Sequence, residues 1–476
     1  MADAATSAPD RIAEAPVGRT VLRLGLPLAI GMSSHALVNL VDLALVGRLG
    51  AQAAASAHIA SVVNFVPMIV GNGVSVATLA ILSQRLGAGD RAGAGAFGRR
   101  SMAFMWWFGA LVSIATALPA APCVDSIGTD GAVRADAIHY LVVSNLGCLP
   151  MFVLMQATAL MRAVGETMVP LALLLFANAL NLLLDVVLLF GWREVGIEPV
   201  GVAGAAYASV AARTVSAALA VWWLRRPRHP LGIRDAARDR AEPVARPLFE
   251  GAWPQAVQIG LRAALVWGLT AIVQRKVGTD GTAALAVTTR LDTLVLFAAI
   301  GFASAATTVA GRAVVRGDSR RARSAGVHAG VQALLFGGAI VLGFREFAEP
   351  VIRSFLPDAE PPVVAAGVMY LTIAAAAQPF AACALGAMGA LHGAGRMLAP
   401  LLVDLVGFAG LAAALLLAAR LELRAVYLVL VGGAVALALL HLVFVVVGRW
   451  PVGRSGPARG GPADGGSGAP SPSPGE

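Results

Sequence analysis

Two short stretches place acidic residues inside otherwise apolar sequence. In HALVNLVDLALVG, His35, Asn39 and Asp42 stand at i, i+4 and i+7. In FANALNLLLDVVLLFG, Asn178, Asn181 and Asp185 stand at i, i+3 and i+7. On a helix each set shares one face. Two carboxylates meeting in a poorly hydrated site disfavour joint ionisation, so such a pair suits proton uptake. With amide and hydroxyl oxygens around it, the same pair can instead coordinate a desolvated monovalent cation. Either loading neutralises charge and changes which helix faces prefer to pack together. Asn and Asp at helical spacing also make plain interhelical hydrogen bonds, worth about 0.6 kcal/mol on average. For a lone Asn that bond is the ordinary reading; two Asp with amide partners favour function. His35 stays open between packing and function.

The elements that must hold these residues are membrane spans. The chain has 476 residues, of which 58% are hydrophobic and 13% charged, about half the charged share of a soluble domain. Apolar blocks of about 20 residues recur, the length that crosses about 30 Å of hydrocarbon. The expectation is an all-α integral membrane protein with spans near 22–46, 57–82, 101–121, 137–160, 168–190, 201–224, 252–275, 283–310, 326–343, 364–390, 398–419 and 425–447. Residues 1–20 lack an apolar h-region and read as a cytoplasmic N-terminal arm, with the first hydrophobic helix retained. The Pro/Gly/Ser-rich residues 449–476 read as a disordered cytoplasmic tail.

Loop arginines orient the spans. Twelve spans put both termini on one side, where 24 Lys and Arg fall, against nine in the opposite loops. Both termini are therefore expected in the cytoplasm of a cell whose inner (plasma) membrane holds the chain. The net charge of +9 does not point to nucleic acid, because the arginines are scattered over many loops instead of forming one basic face. Cys123, Cys148 and Cys383 fit no metal spacing and read as small hydrophobes. No cofactor is expected beyond H+ or Na+ as coupling ion. The expected partners are the lipid bilayer and small amphipathic substrates, for a monomeric chain.

The halves echo each other. Pro27 pairs with Pro254, Gly50 with Gly278 and Asp90 with Asp318 at offsets of 227–228; Gly165 with Gly395 and Pro170 with Pro400 follow at 230. Six spans per half insert both halves in the same orientation. Two six-helix lobes are expected, residues 21–224 and 251–448, related by a pseudo-twofold along the membrane normal. A basic cytoplasmic connector, 225–250, joins them, and rocking of the lobes would give alternating access. The carboxylates are not repeated: Asp42 falls on Thr270, Asn181 on Leu411 and Asp185 on Leu415. In the second half, Arg290 and Asp292 stand at i, i+2 and read as structural, near the interface. Asp404 stays undecided. Gln255, Gln258 and Arg262 share a face that would line the cleft.

On these residues the chain resembles the multidrug and toxic compound extrusion (MATE) transporters, in particular their DinF-like branch. LPLAIGMSSHALVNLVDLALVGRLGAQAAAS resembles the family's first span and the loop after it. ILSQRLGAGDRAGA resembles its second-loop signature, and LMRAVGETMVPL the joint of spans 4 and 5. NLLLDVVLLFG and GVAGAAYAS resemble spans 5 and 6. The resemblance covers roughly 20–450 and implies export driven by an inward cation or proton gradient. It implies an N-lobe coupling site at Asp42, Asn181 and Asp185, with Ala205 and Ser209 from span 6 and Tyr140 from span 4. The family's usual span-6 Thr is Ser209 here. The family's first span can bend at its proline; Pro27 is the candidate hinge or, equally, a helix-start proline.

Three functions compete. The leading one is a secondary antiporter exporting amphipathic or cationic small molecules. A lipid-linked oligosaccharide flippase of related fold would need several cleft cations, for which Arg213 and Arg262 are the intramembrane candidates. A membrane enzyme lacks a nucleophile–base set, an HExxH motif or a phosphate loop in this sequence.

Overall fold

The computed structural model describes residues 11–125, 131–236, 243–355 and 359–450. The first ten residues of the expected arm, residues 237–242 of the connector and the tail from 451 lie outside them. Twelve long helices, or helix pairs, carry the described chain. In the N-lobe these are α1 (Val17–Gly47), α2 (Ala51–Gly87), α3 (Arg91–Ala117), α4 (Gly131–Leu146 continued by Cys148–Val164), α5 (Met168–Phe190) and α6 (Val202–Leu224). In the C-lobe they are α7 (Ala245–Val277), α8 (Thr279–Val315), α9 (Ser319–Glu346), α10 (Pro361–Thr372 and Ala377–Gly393), α11 (Leu398–Ala418) and α12 (Leu423–Val447). Eleven are long and apolar enough to cross a membrane. The remaining helix, α3, opens on the polar and small residues RAGAGAFGRR but packs between α2 and α4 like a spanning neighbour.

The two lobes repeat one packing scheme. α1 lies on α5, α2 on α4, α3 on α4, and α6 on both α4 and α5. In the C-lobe α7 lies on α11, α8 and α9 on α10, and α12 on both α10 and α11. The paired residues of the sequence have local causes. Asp90 and Asp318 each N-cap the third helix of a lobe, accepting from Gly93 N and Arg321 N at 2.8 Å. Gly165 and Gly395 end α4 and α10 at φ of 89° and 75°, a conformation that excludes most side chains. Pro170 and Pro400 sit in first turns, where a missing N–H costs nothing. Pro27 lies well inside α1, which removes the helix-start alternative and leaves an interior proline able to bend the span.

Several helices outrun the apolar blocks. α3 begins at Arg91 rather than 101, α9 at Ser319 rather than 326, and α8 runs to Val315 rather than 310. Caps and turns set those ends, and hydropathy does not register them. Arg312, expected in a loop, is therefore a buried residue in the last turn of α8.

The lobes meet along α1, α2, α7 and α8. Gly73 of α2 rests on Ala252 of α7, and its repeat mate Gly301 of α8 rests on Ala29 of α1; a Cβ on either would come within 2.8 Å of backbone. Hydrogen bonds between the lobes cluster at the end of the bundle that carries the termini and the connector. There Arg312 Nη2 donates to Ala163 O (2.7 Å), Gln84 Nε2 to Gly393 O (2.8 Å), Arg162 Nη1 to Ser304 Oγ (2.7 Å) and Arg316 Nε to Gly87 O (3.0 Å). Ser33 Oγ to Leu294 O, 3.1 Å, lies at mid-height. The seam is thus sealed at the terminal-bearing end.

Candidate functional site

Asn181 stands at the centre of the N-lobe constellation. From α5 its Nδ2 donates to Asp185 Oδ2 at 3.0 Å, one turn further along the helix, and reaches Ser209 Oγ of α6 at 3.4 Å. Asp185 is fully buried. Asp42, on α1, lies close enough for its charge to act on Asp185 and on Tyr140 of α4. Tyr140 packs with Val46, Leu189 and Ala205 in one apolar cluster, which brings α1, α4, α5 and α6 together around the carboxylates. Both carboxylates lie about one and a half turns from the helix end opposite the termini.

The charge in this pocket is under-satisfied. Asp42 Oδ1 and Asp185 Oδ1 are buried and have no hydrogen-bond partner among the described residues. A buried, unpartnered carboxylate oxygen costs about 1–3 kcal/mol or more. A proton or a small cation on that oxygen removes the cost. No cluster of three or more His, Cys, Asp or Glu able to hold a metal ion exists among the described residues.

The other expected N-lobe residues divide. His35 Nδ1 pairs with Asn178 Oδ1 at 3.0 Å, and Asn178 Nδ2 donates to Ser34 Oγ at 3.3 Å. This chain ties α1 to α5 on the side of Asp42 nearer the termini, and the His35 ring stacks on Phe297 of α8 at 6.3 Å. Asn39, expected as an amide neighbour of Asp42, is instead exposed and makes no hydrogen bond among the described residues.

The C-lobe corrects the sequence reading. Gln255 and Gln258 do not face a cleft; they are 6% and 2% exposed and point into the lobe. Gln255 meets His392 of α10 at 2.5 Å, and Gln258 donates to Asp404 Oδ2 of α11 at 2.8 Å. Asp404 Oδ1 lies 3.4 Å from His441 Nε2 of α12, both fully buried. Asp292 accepts from Tyr370 Oη (2.5 Å) and Gln378 Nε2 (2.8 Å). Its partners lie inside the lobe rather than at an interface, and it shares nothing with Arg290. Asp292 is satisfied by two donors, while Asp404 Oδ1, like the Oδ1 atoms of Asp42 and Asp185, is buried without a hydrogen-bond partner among the described residues. Two apolar C-lobe grooves, about 350 and 510 Å³, run between α11 and α12 and between α7 and α11, away from the N-lobe pair.

One residue of the site was missed. Arg213, on α6, follows Ala205 and Ser209 at i+8 and i+4, on the same face. Its charge reaches Asp42, His35 and Tyr140. The spacing from Ser209 was the signal available in the sequence.

Fold and site together define a two-lobed helical membrane transporter with an acidic pocket in one lobe. The MatE family model matches residues 27–187 and 263–417, one stretch in each lobe. A relative from Deinococcus radiodurans, "Probable multidrug resistance protein NorM", is 28% identical over 403 residues, covering 82% of this chain and 85% of the relative. One of the same name from Thermotoga maritima is 22% identical over 440 residues, covering 91% and 93%. An outward-facing multidrug resistance MATE family transporter of the MOP superfamily superposes with a TM-score of 0.84 at 20% identity, covering 93% of this chain and 98% of that one. A MOP superfamily transporter from Pyrococcus furiosus gives 0.83 at 21% identity with the same coverage. The chain belongs to the MatE family. It is a multi-pass membrane transporter and not an enzyme.

Proposed function

We propose that this chain is a multidrug efflux antiporter that exports amphipathic or cationic small molecules by alternating access. Inward movement of H+ or Na+ through the N-lobe site drives the export. The observation that carries this reading is the pair of buried, open carboxylate oxygens on Asp42 and Asp185, with Asn181 and Ser209 beside them. A loaded ion neutralises the pocket; its release restores a charge that an apolar lobe tolerates poorly. Names of relatives support the substrate class. The N-lobe carboxylates act on each other, whereas Asp292 lies under two donors and Asp404 beside His441, and this favours the DinF-like form of coupling.

The loop arginines support an inner-membrane chain with both termini in the cytoplasm. In that orientation the sealed seam faces the cytoplasm and the structure faces outward. Pro27 is the candidate bend of α1 between states. Accumulation of a dye panel in inside-out vesicles, where export runs into the lumen, with each ion gradient imposed separately, tests the coupling. The gradient that drives efflux names the ion, and Asp42→Asn and Asp185→Asn should each abolish that efflux while the protein remains folded and inserted. Full transport by both variants would refute the site.

A further inference from the structure

Arg213 is a guanidinium midway along a membrane span, half-buried, with no hydrogen bond or ion pair among the described residues. Intramembrane arginines face a bundle interior or a wet cavity and find partners there. The hydrogen bond from Asn181 to Ser209 fixes which face of α6 turns to the site, and Arg213 stands one turn along that face. The groups that share its field are His35 and Asp42 from α1 and Tyr140 and Cys148 from α4. Asp185 of α5 joins them through Asp42. His35 Nδ1 meets Asn178 Oδ1, a contact open to the neutral ring, and an ordinary imidazole and phenol are both mostly uncharged at about pH 7. The charges that remain are two carboxylates and one guanidinium.

We propose that Arg213 is a built-in cation that sets the empty N-lobe pocket one unit negative instead of two. One proton or sodium ion, or one cationic group of a substrate, then neutralises it, and the two exchange one for one. This rests on Asp42 and Asp185 being the coupling site. The exchange balances: one monovalent ion enters the pocket as one monovalent cation leaves it, and no net charge crosses with the pair. An arginine is suited to the task because it stays protonated throughout. It is a positioning charge, with no bond to the ion required.

The test counts ions at equilibrium and needs no transport. Purified wild-type protein is titrated for proton uptake, and separately for sodium-22 binding, with and without saturating ethidium. Wild type should release about one ion per ethidium bound. Arg213→Met and Arg213→Gln should release about two, and Arg213→Lys should restore one. Equal counts in wild type and both neutral variants overturn the proposal while leaving the site intact. If Asp42→Asn and Asp185→Asn leave uptake unchanged, the site reading falls and the proposal with it.

Discussion

Asn181 holds one carboxylate and one hydroxyl with a single amide group, so its loss should disturb the site more than that of any other uncharged residue. Hydrogen bonds to charged groups are worth about 1.5–3 kcal/mol. Asn181→Leu is therefore expected to raise the ion concentration for half-maximal efflux by roughly ten- to a hundredfold. Ser209 accepts at a long 3.4 Å. Ser209→Ala should cost only a few-fold and Ser209→Thr almost nothing, read in the same vesicle assay. Helical spacing in the sequence brought Asp42, Asn181 and Asp185 onto convergent faces. It did not tell which neighbours on a face another helix covers. Asn39 and Asn178 both stood beside an Asp by that criterion, yet one is exposed and the other is 5% exposed and bonded to His35. Arg213 was visible as an intramembrane arginine, and its i, i+4 spacing from Ser209 was the local sign that the two share a face.

At the scale of elements, the repeat was legible because its marks are local. N-caps and left-handed turns dictate residue type wherever they occur, so Asp90 with Asp318 and Gly165 with Gly395 could be paired by eye. The seam was not legible, because its acceptors are main-chain oxygens that any residue supplies. Ala163 and Gly393 lie in the last turns of α4 and α10, where carbonyls lack intrahelical partners. Arg312 and Gln84 satisfy them across the lobes, the arginine also meeting the negative end of a helix dipole. Arg312→Ala should shift the lobes away from the sealed state by roughly tenfold or more, and Gln84→Ala by less, since one bond is charge-assisted and the other neutral. Spin labels placed on α2 and α8 at the terminal-bearing end would report the widening.

The connector gives a pH-dependent counterpart. Trp223 Nε1 donates to Glu166 Oε2 at 3.2 Å, His229 Nε2 lies 3.4 Å from the same oxygen, and Leu231 N donates to His229 Nδ1. Burial pushes the Glu166 carboxyl up, but the neighbouring His229 and Trp223 outweigh it and leave it below the ordinary value. The docking is therefore complete above the usual glutamate range, about pH 4.3. It weakens as the pH falls through the lowered value. Limited proteolysis of residues 225–236 should accelerate only in that acid window, and Glu166→Gln should remove the dependence.

At the scale of the whole molecule, the two-lobe plan followed from hydropathy and repeat order, while hydropathy of the helices supports eleven of the twelve expected spans. The state of the lobes did not, since a sequence carries no record of which end of a cleft is shut. The repeat offsets place Gln84 on Arg312 and, later in the chain, Ala163 on Gly393. Two of the four sealing bonds therefore obey a reciprocal rule: residue 84 meets residue 393, and their mates 312 and 163 meet each other. Reciprocity of this kind marks an isologous contact between two identical subunits. At these two bonds the seam has the symmetry of a homodimer interface, although both halves belong to one chain. A chain cut between residues 236 and 243 should then reassemble from two separately expressed halves. Co-purification of the halves, lost when Gln84 and Arg312 are both changed to Ala, is the expected result.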